Sequence, residues 1–451
     1  MFNIDNNDTI TAIATPPGIG AIAVIRISGQ LSFKIIDIIF KPKLKNLKSR
    51  RIYLGYIYSK NTLIDKVLIN IFKSPNSYTG EDIIEISCHG SIYIQNKILD
   101  LIITHGARLA TRGEFTFRAF KNGKLDLYQV ESLLELFYSE NKLDHNLALN
   151  NLRGDVSLII KNLRTKILTL NTMLEFWIDF SEEDINKNNI LAFNNLLLNI
   201  INHIKDLINS FKLGLFFKKG IAIAIIGKPN VGKSTLFNFL LKAERSIVSN
   251  KSGTTINYIE ENIYIDGIKY RLIDNAGIKK NTLNKLELKG IKKTIENIKK
   301  SEIIMYLTNK INPKHQHIQK YYKSFFKKEI IFIINKCDLL KQKIKLQSSP
   351  ILISAKYGIG INYLLNQLKS ISESFIKNNK KTIITNIRHY EELKKAFFKL
   401  KKIKSKLKIG IEPEILSLLL KEANYSLEKI IGTITNEEIL FHIFDRFCIG
   451  K

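Results

Sequence analysis

A chain of 451 residues has room for about two to four domains, and its 45% hydrophobic content supplies packed cores and excludes wholesale disorder. Lys and Arg number 70 against 41 Asp and Glu, a formal net charge of +29. That balance fits an RNA partner, and it fits equally well a chain that uses Lys, Ile and Asn heavily throughout, so charge alone does not decide.

No long apolar run is free of charges, so no transmembrane helix is expected. Met1–Thr11 carries Asp5 and Asp8 and no basic stretch ahead of an apolar one, so it does not read as a signal peptide. Cys88, Cys337 and Cys448 are too scattered for a disulfide framework or a metal-ligand pair. Together these features predict a soluble, cytoplasmic protein without membrane association.

In chain order, residues 1–118 read as an α/β unit. Ala21–Ile27 and Val67–Phe72 are short apolar strands, Ile83–Ser87 alternates acidic and apolar residues, and Thr15-Pro16-Pro17-Gly18 and Ser74-Pro75-Asn76 are turns. Residues 119–216 turn helical, with Leu133, Leu134, Phe137 and Leu196, Leu197, Ile200, Ile201, Ile204 at three-to-four spacing. Such stripes predict packing. Residues 217–376 return to alternating strands and helices, and helices resume over 377–451, where Leu393, Phe397, Leu400, Ile403 and Leu407 form one apolar stripe. Lys399–Lys408 reads as a solvated helix face. The fold class is therefore multidomain α/β and α: an N-terminal α/β domain, then a helical domain with a P-loop domain inserted into it.

The inserted segment carries the chemistry. Ile221–Ile226 is a buried strand running into Gly227-Lys228-Pro229-Asn230-Val231-Gly232-Lys233-Ser234-Thr235 and then an apolar helix. This is GxxxxGKS in its strand–loop–helix setting, where backbone N–H groups and a helix N-terminus meet phosphate. Lys233 is placed to reach the β- and γ-phosphates, and Ser234 to ligate Mg²⁺. Asp274-Asn275-Ala276-Gly277 ends a strand with DxxG: Asp274 serves the Mg²⁺ shell and the Gly277 N–H senses the γ-phosphate. Asn335-Lys336-Cys337-Asp338 follows the strand Ile330–Ile334, and the Asp338 carboxylate can accept both donors of a guanine edge, discrimination of roughly 10⁴ or more. Ser354-Ala355-Lys356 is a base-contacting loop. Gly253-Thr254-Thr255 fits switch I, with Thr255 as the second Mg²⁺ hydroxyl. Four such motifs in order, each after a strand, specify a GTPase of the Ras-like kind. Ile278 follows DxxG where Ras-type enzymes place a water-orienting glutamine. Glu287 is the leading substitute, with a solvated helix-start glutamate as its alternative.

These motifs, with Arg26-Ile27-Ser28-Gly29, Ser77-Tyr78-Thr79-Gly80-Glu81-Asp82, Arg112-Gly113-Glu114-Phe115, Lys124-Leu125-Asp126-Leu127 and Phe447-Cys448-Ile449-Gly450-Lys451, give the chain a full-length resemblance to the MnmE (TrmE) family of tRNA-uridine-modifying GTPases. The resemblance implies a K⁺-dependent GTPase. With MnmG, a protein using FAD and NADH, the family adds a carboxymethylaminomethyl or aminomethyl group at C5 of the wobble uridine of certain tRNAs. It implies a homodimer whose N-terminal domain binds a tetrahydrofolate one-carbon donor such as 5-formyltetrahydrofolate through Arg26, Glu85, Lys124 and Lys451. It implies GTP contacts extending over Ser249, Asn250, Lys251 and Ser252, K⁺ ligation by Asn230, Ser249, Lys251 and Thr254, and water orientation by Glu287. Cys448 matches the family's cysteine, with small apolar packing as its alternative. Ile256 and Asn257 after switch I, Asn275 in DxxG and Ile19 in the Gly18 loop depart from the family pattern.

Placing Lys451 near Arg26 requires the last helices to fold back onto the first domain, expected across a dimer interface, with the Leu393–Leu407 stripe, Phe441, Ile443 and Phe444 as docking face. The competing readings are a ribosome-assembly GTPase of the Era or Der kind, against which stand the single P-loop and the lack of GxxG after residue 370, and a folate-dependent methyltransferase, against which stand the intact GTPase motifs.

Overall fold

The structure is a computed structural model that describes residues 8–43, 48–179, 187–244, 260–273, 295–310, 328–339, 350–377, 383–407, 413–434 and 437–451. It divides into two compact units, one of Met1–Tyr138, Ala148–Asn202 and Glu391–Lys451, the other of Ser139–Leu147 and His203–Tyr390.

The first unit is built on a seven-stranded sheet of order β3-β4-β5-β6-β2-β1-β7. Its strands are β1 (Thr9–Ile13), β2 (Ile22–Ser28), β3 (Phe40–Lys41), β4 (Arg51–Ser59), β5 (Thr62–Phe72), β6 (Ile83–His89) and β7 (Ala107–Leu109). All neighbours are antiparallel except β1 and β7. Alternation sends Ala23, Ile25 and Ile27 of β2 and Ile84, Ile86 and Cys88 of β6 to one face. There they meet Ile35, Ile36 and Ile39 of α1 (Ser32–Ile39) and Ile98 and Ile102 of α2 (Ile92–Thr104). The opposite face therefore carries Arg26, Ser28 and Glu85.

At the β1–β2 end that opposite face is covered by α3 (Glu114–Lys121), whose Phe115 packs with Ile10 and Ala12. Charge fixes α3 in place. Arg118, with a side chain 10% exposed, pairs with Asp8, Glu81 and Glu114. Arg108 clasps Asp8 at 2.6 Å and Glu114 at 2.6 Å. Burial pushes the Glu114 carboxyl upward, but hydrogen bonds from Arg108 and Thr111 outweigh it and hold the group below the usual range. Asp8 is likewise lowered, against its burial, by Arg108 and Arg118.

Helices complete the unit. α4 (Leu127–Phe137) begins with a capping box between Asp126 and Gln129, and Ser157 adds a hydrogen bond to Asp126 at 2.9 Å. α5 spans Lys142–Arg153, α6 Asp155–Asp179 and α7 Lys187–Lys219, the unit taking α5 from Ala148 onward and α7 as far as Asn202. α6 packs on the helix Pro413–Ile431, joined by the ion pair Arg164–Glu428 and by Ser417 to Asn171 at 2.8 Å. The helix Glu437–Phe444 turns Ile443 and Phe444 onto Phe117, Leu127 and Val130. Phe441 does not join them: it is 48% exposed, because two residues of helix rotate it away from Ile443. Leu393, Leu400 and Ile403 of the helix Ile387–Leu407 are buried as the stripe predicts.

The second unit is a six-stranded sheet of order β13-β12-β11-β8-β10-β9, made of β8 (Ile221–Gly227), β9 (Glu260–Ile265), β10 (Ile268–Ile273), β11 (Ile303–Thr308), β12 (Glu329–Ile334) and β13 (Ile351–Leu352). Every pairing is parallel except the β9–β10 hairpin. β8 lies centrally and all its residues but Gly227 are buried, as a strand covered on both faces requires. α8 (Lys233–Glu244) buries Leu236, Phe237 and Leu240 against the sheet, and the helix Ile361–Lys377 buries Ile361, Leu364 and Leu368. Among the described residues no helix is long and apolar enough to cross a membrane.

Because Asp8 and Glu114 titrate below the ordinary carboxylate range when folded, their contribution to stability is complete above about pH 4 and is lost as pH falls through their lowered values. Arg118→Met should destabilise the chain by about 3 kcal/mol at pH 7, the cost of breaking a mostly buried ion pair, and should flatten the acid limb. Calorimetric melting of both proteins from pH 3 to 7 checks this; parallel acid limbs would show that Arg118 does not set these carboxylates.

Candidate functional sites

In the second unit, β8 ends at Gly227 and α8 begins at Lys233, so the intervening loop lies at the carboxyl edge of the sheet. Gly232 has φ +95, and a Cβ there would stand 2.2 Å from the Asn335 side-chain nitrogen. Only glycine fits a loop drawn so close to the Asn335 side chain. Asn335, 3% exposed, is the joint of the site. Its Nδ2 donates to the Val231 carbonyl at 2.8 Å, and its Oδ1 accepts from the Ala355 N–H at 3.0 Å. One amide thus fixes the phosphate loop to the Ser354–Lys356 loop. Lys336 Nζ donates to the Asn230 carbonyl at 3.0 Å, and the Cys337 N–H donates to the Ile353 carbonyl at 3.1 Å.

The side chains predicted to touch ligand are presented outward. Ser234 and Thr235 are exposed on the first turn of α8, and Asp338 and Lys356 are exposed beyond Asn335. Lys233 Nζ arches back to the carbonyls of Gly227 at 3.0 Å and Lys228 at 2.9 Å. Ser354 is buried, its N–H donating to the Ile359 carbonyl at 2.9 Å. The structure therefore brings together Asn230, Val231, Gly232, Lys233, Asn335, Lys336 and Ala355. The candidates Ser249, Asn250, Lys251, Ser252, Gly253, Thr254, Thr255, Asp274, Asn275, Ala276, Gly277 and Glu287 lie outside the described residues, as do Ile256, Asn257 and Ile278.

In the first unit, Arg26 and Glu85 are direct cross-strand partners of β2 and β6. Arg26 Nε and Nη2 both donate to Glu85 Oε1, at 2.9 and 2.7 Å. The guanidinium carbon lies 5.5 Å from the ring centroids of both Tyr78 and Phe115, so two aromatic faces bound the ion pair. The third nitrogen, Nη1, donates to the Gly450 carbonyl at 3.2 Å. The final segment thus reaches Arg26 within one chain. The expectation of docking across a dimer interface is corrected: Phe444 and Phe447, packed on α3 and α4, carry the segment there directly. Cys448 is exposed, which disfavours its packing reading, while its carbonyl accepts from the Gly113 N–H at 3.5 Å.

Burial, then the charge of Arg26, lowers the Lys451 amine below its ordinary value. Lys124 lies against Gly80, two residues from Tyr78: a Cβ on Gly80 would stand 3.3 Å from its Cε. Sequence reading assigned no role to Tyr78 and Phe115, although both fall inside quoted motifs. The aromatic positions of Ser77–Asp82 and Arg112–Phe115 were the available signal.

Known proteins match nearly the whole chain. The family described as GTP-binding protein TrmE N-terminus matches residues 9–124, and the MnmE helical domain matches residues 127–448. A protein of Flavobacterium johnsoniae named tRNA modification GTPase MnmE is 43% identical, with 99% of this chain and 100% of the relative covered. The like-named protein of Flavobacterium psychrophilum is 43% identical with 99% of each chain covered, and that of Porphyromonas gingivalis 37% with 99% and 98% covered. The chain belongs to the MnmE (TrmE) family of tRNA modification GTPases.

Proposed function

We propose that this chain hydrolyses GTP and couples that cycle to modification of tRNA, the activity for which its relatives are named. The observation that carries the reading is the Asn335 joint, which ties a phosphate-binding loop to a base-binding loop through one buried amide. The residues fit Mg·GTP. A glycine cradle that a Cβ would fill lies beside a helix N-terminus bearing an exposed hydroxyl, Ser234. Ser234 and Thr255 would hold the metal, whose charge offsets that of the β- and γ-phosphates. Lys233 would leave its carbonyls for those phosphates, and Asp338 would take the guanine edge. Glu287 would orient the water. Asn230, Ser249, Lys251 and Thr254 would hold K⁺, in the role an arginine finger otherwise plays.

The finer reading extends to the rest of the chain. The family matches over residues 9–124 and 127–448 favour it over an Era- or Der-like ribosome-assembly GTPase. The N-terminal domain, residues 1–118, would bind a tetrahydrofolate one-carbon donor. Arg26, Glu85 and Lys451 would be its polar contacts with Lys124 at the loop beside them, and Tyr78 and Phe115 its aromatic walls. Residues 119–216 and 377–451 would form the helical domain around a G domain of 217–376. The open β4–β5 face exposes Ile52 (66%), Leu54 (59%) and Leu68 (42%), apolar surface suited to a homodimer. MnmG would be the second protein, tRNA the substrate with C5 of the wobble uridine as its reacting position, the cytoplasm the compartment, and Cys448 an available thiol.

Asp338→Asn should lower GTP affinity at least tenfold and favour xanthosine triphosphate, whose edge pairs with an amide. Calorimetric titration with GTP, ATP and the xanthine nucleotide checks this, and equal affinity of the wild type for ATP and GTP would refute guanine selection.

Glu287→Ala should cut GTP turnover by roughly 10² while leaving affinity nearly unchanged, and wild-type turnover should be faster in KCl than in NaCl at equal ionic strength. Single-turnover hydrolysis in the two salts measures both. A mutant with normal turnover would place the water on another residue, and equal rates in the two salts would remove K⁺ from the mechanism.

A further inference from the structure

Phe137, at the end of α4, belongs to none of the motifs above, and its helical spacing predicts plain packing. Its surroundings differ from that expectation. The ring stays 45% exposed and is met edge-on by Phe447 at 6.5 Å and 85°. The Lys451 ammonium lies 3.6 Å from its centroid, the geometry of a cation on a π face.

The backbone leading to that ammonium is tightly constrained. Gly450 has φ +95, and a Cβ there would stand 2.5 Å from the Ile13 carbonyl oxygen. The Lys451 N–H turns back to the Cys448 carbonyl at 3.3 Å. Arg26 holds the Gly450 carbonyl. The result is two cations, Arg26 and Lys451, in one partly buried place, with Glu85 as the carboxylate paired to Arg26. Burial first, and the charge of Arg26 after it, lower the Lys451 amine. Like charges gathered in this way are relieved by an anion.

We propose that Phe137 is a positioning residue, its ring face holding the Lys451 ammonium beside Arg26 so that the two cations receive an anionic group of the bound ligand, with Gly450 as the turn that allows it. This rests on the folate reading of the first unit and deepens it. Phe137 acts through Lys451 and touches no reacting atom.

The test separates ring electrostatics from packing. Phe137→Leu keeps an apolar side chain against Phe447 but removes the π face; Phe137→Trp restores one. Calorimetry should show the Leu variant binding 5-formyltetrahydrofolate about tenfold more weakly and the Trp variant within about twofold of wild type. GTP turnover should be unchanged in both, since Phe137 is remote from Asn335 and α8 in sequence and lies in the other unit.

Position is read independently of folate. After reductive ¹³C-methylation of the full chain, the Lys451 dimethylamine resonance, assigned with Lys451→Arg, should sit upfield in the wild type through the ring current. It should return to the free-lysine position in the Leu variant and move upfield again in the Trp variant. A wild-type resonance at the free-lysine position overturns the proposal whether or not folate binds. An upfield resonance with undiminished folate affinity in the Leu variant overturns the anion seat and leaves the folate reading standing. A wild type that binds no folate removes that reading and the anion seat with it.

Discussion

Arg118 donates to carboxylates from three separate stretches of chain: Asp8 before β1, Glu81 in the loop before β6, and Glu114 at the start of its own helix. Three partners around one nearly buried guanidinium are a strong geometric constraint, because the fork of N–H groups is planar and rigid. The constraint fixes α3 on the sheet. α3 carries Phe115, one of the two rings beside Arg26, and is preceded by Gly113, whose N–H meets the Cys448 carbonyl. Phe117, on the same helix, meets Phe444 edge-on at 5.2 Å. The walls of the Arg26 site and the seat of the final segment are therefore both set by the charge network under α3. The desolvation of these ions is compensated only while the network is whole.

The second unit solves a comparable problem with neutral groups. A phosphate loop must present its N–H groups to ligand, so it has no secondary-structure partners of its own. Asn335, at the end of β12 and one strand removed from β8, supplies the support, and the same side chain fixes the Ser354–Lys356 loop. Lys336 adds a second tie to Asn230, a residue with φ +63. The Asn335–Lys336 pair thus supports the Asn230–Val231 stretch as well as the Ser354–Lys356 loop. Asp338, three residues on from Asn335, is exposed.

Much of this was legible in the sequence. The P-loop strand, loop and helix, the buried strands before Asp274 and Asn335, and the helical stripes apart from Phe137 appear where period and turn chemistry put them. Those signals are local: a buried strand needs a run of Ile and Ala, and a phosphate loop needs glycines at fixed spacing. What could not be read was which faces meet. Arg26 and Glu85 are 59 residues apart, and only the β2–β6 register makes them partners. Phe137 and Lys451 carry no periodic relation at all. Phe441 shows the same limit from the other side: apolar composition suggested docking, but helix rotation turned it out to 48% exposure.

The two sites also differ in how charge is used. In the second unit the cations are committed to backbone carbonyls, Lys233 to Gly227 and Lys228, and Lys336 to Asn230. Such bonds are exchangeable: a phosphate entering the loop offers Lys233 a stronger, charge-assisted acceptor. In the first unit Arg26 is committed to a carboxylate and a carbonyl at once. It therefore orients whatever binds beside it and keeps its present partners. The adjustable cation there is Lys451, held on an aromatic face by an attraction that is weak compared with an ion pair. The ring leaves the Lys451 ammonium without a paired carboxylate among the described residues, whereas Glu85 and Gly450 keep Arg26 in place. On this reasoning Arg26 is the fixed cation of the first unit and Lys451 the more weakly held one.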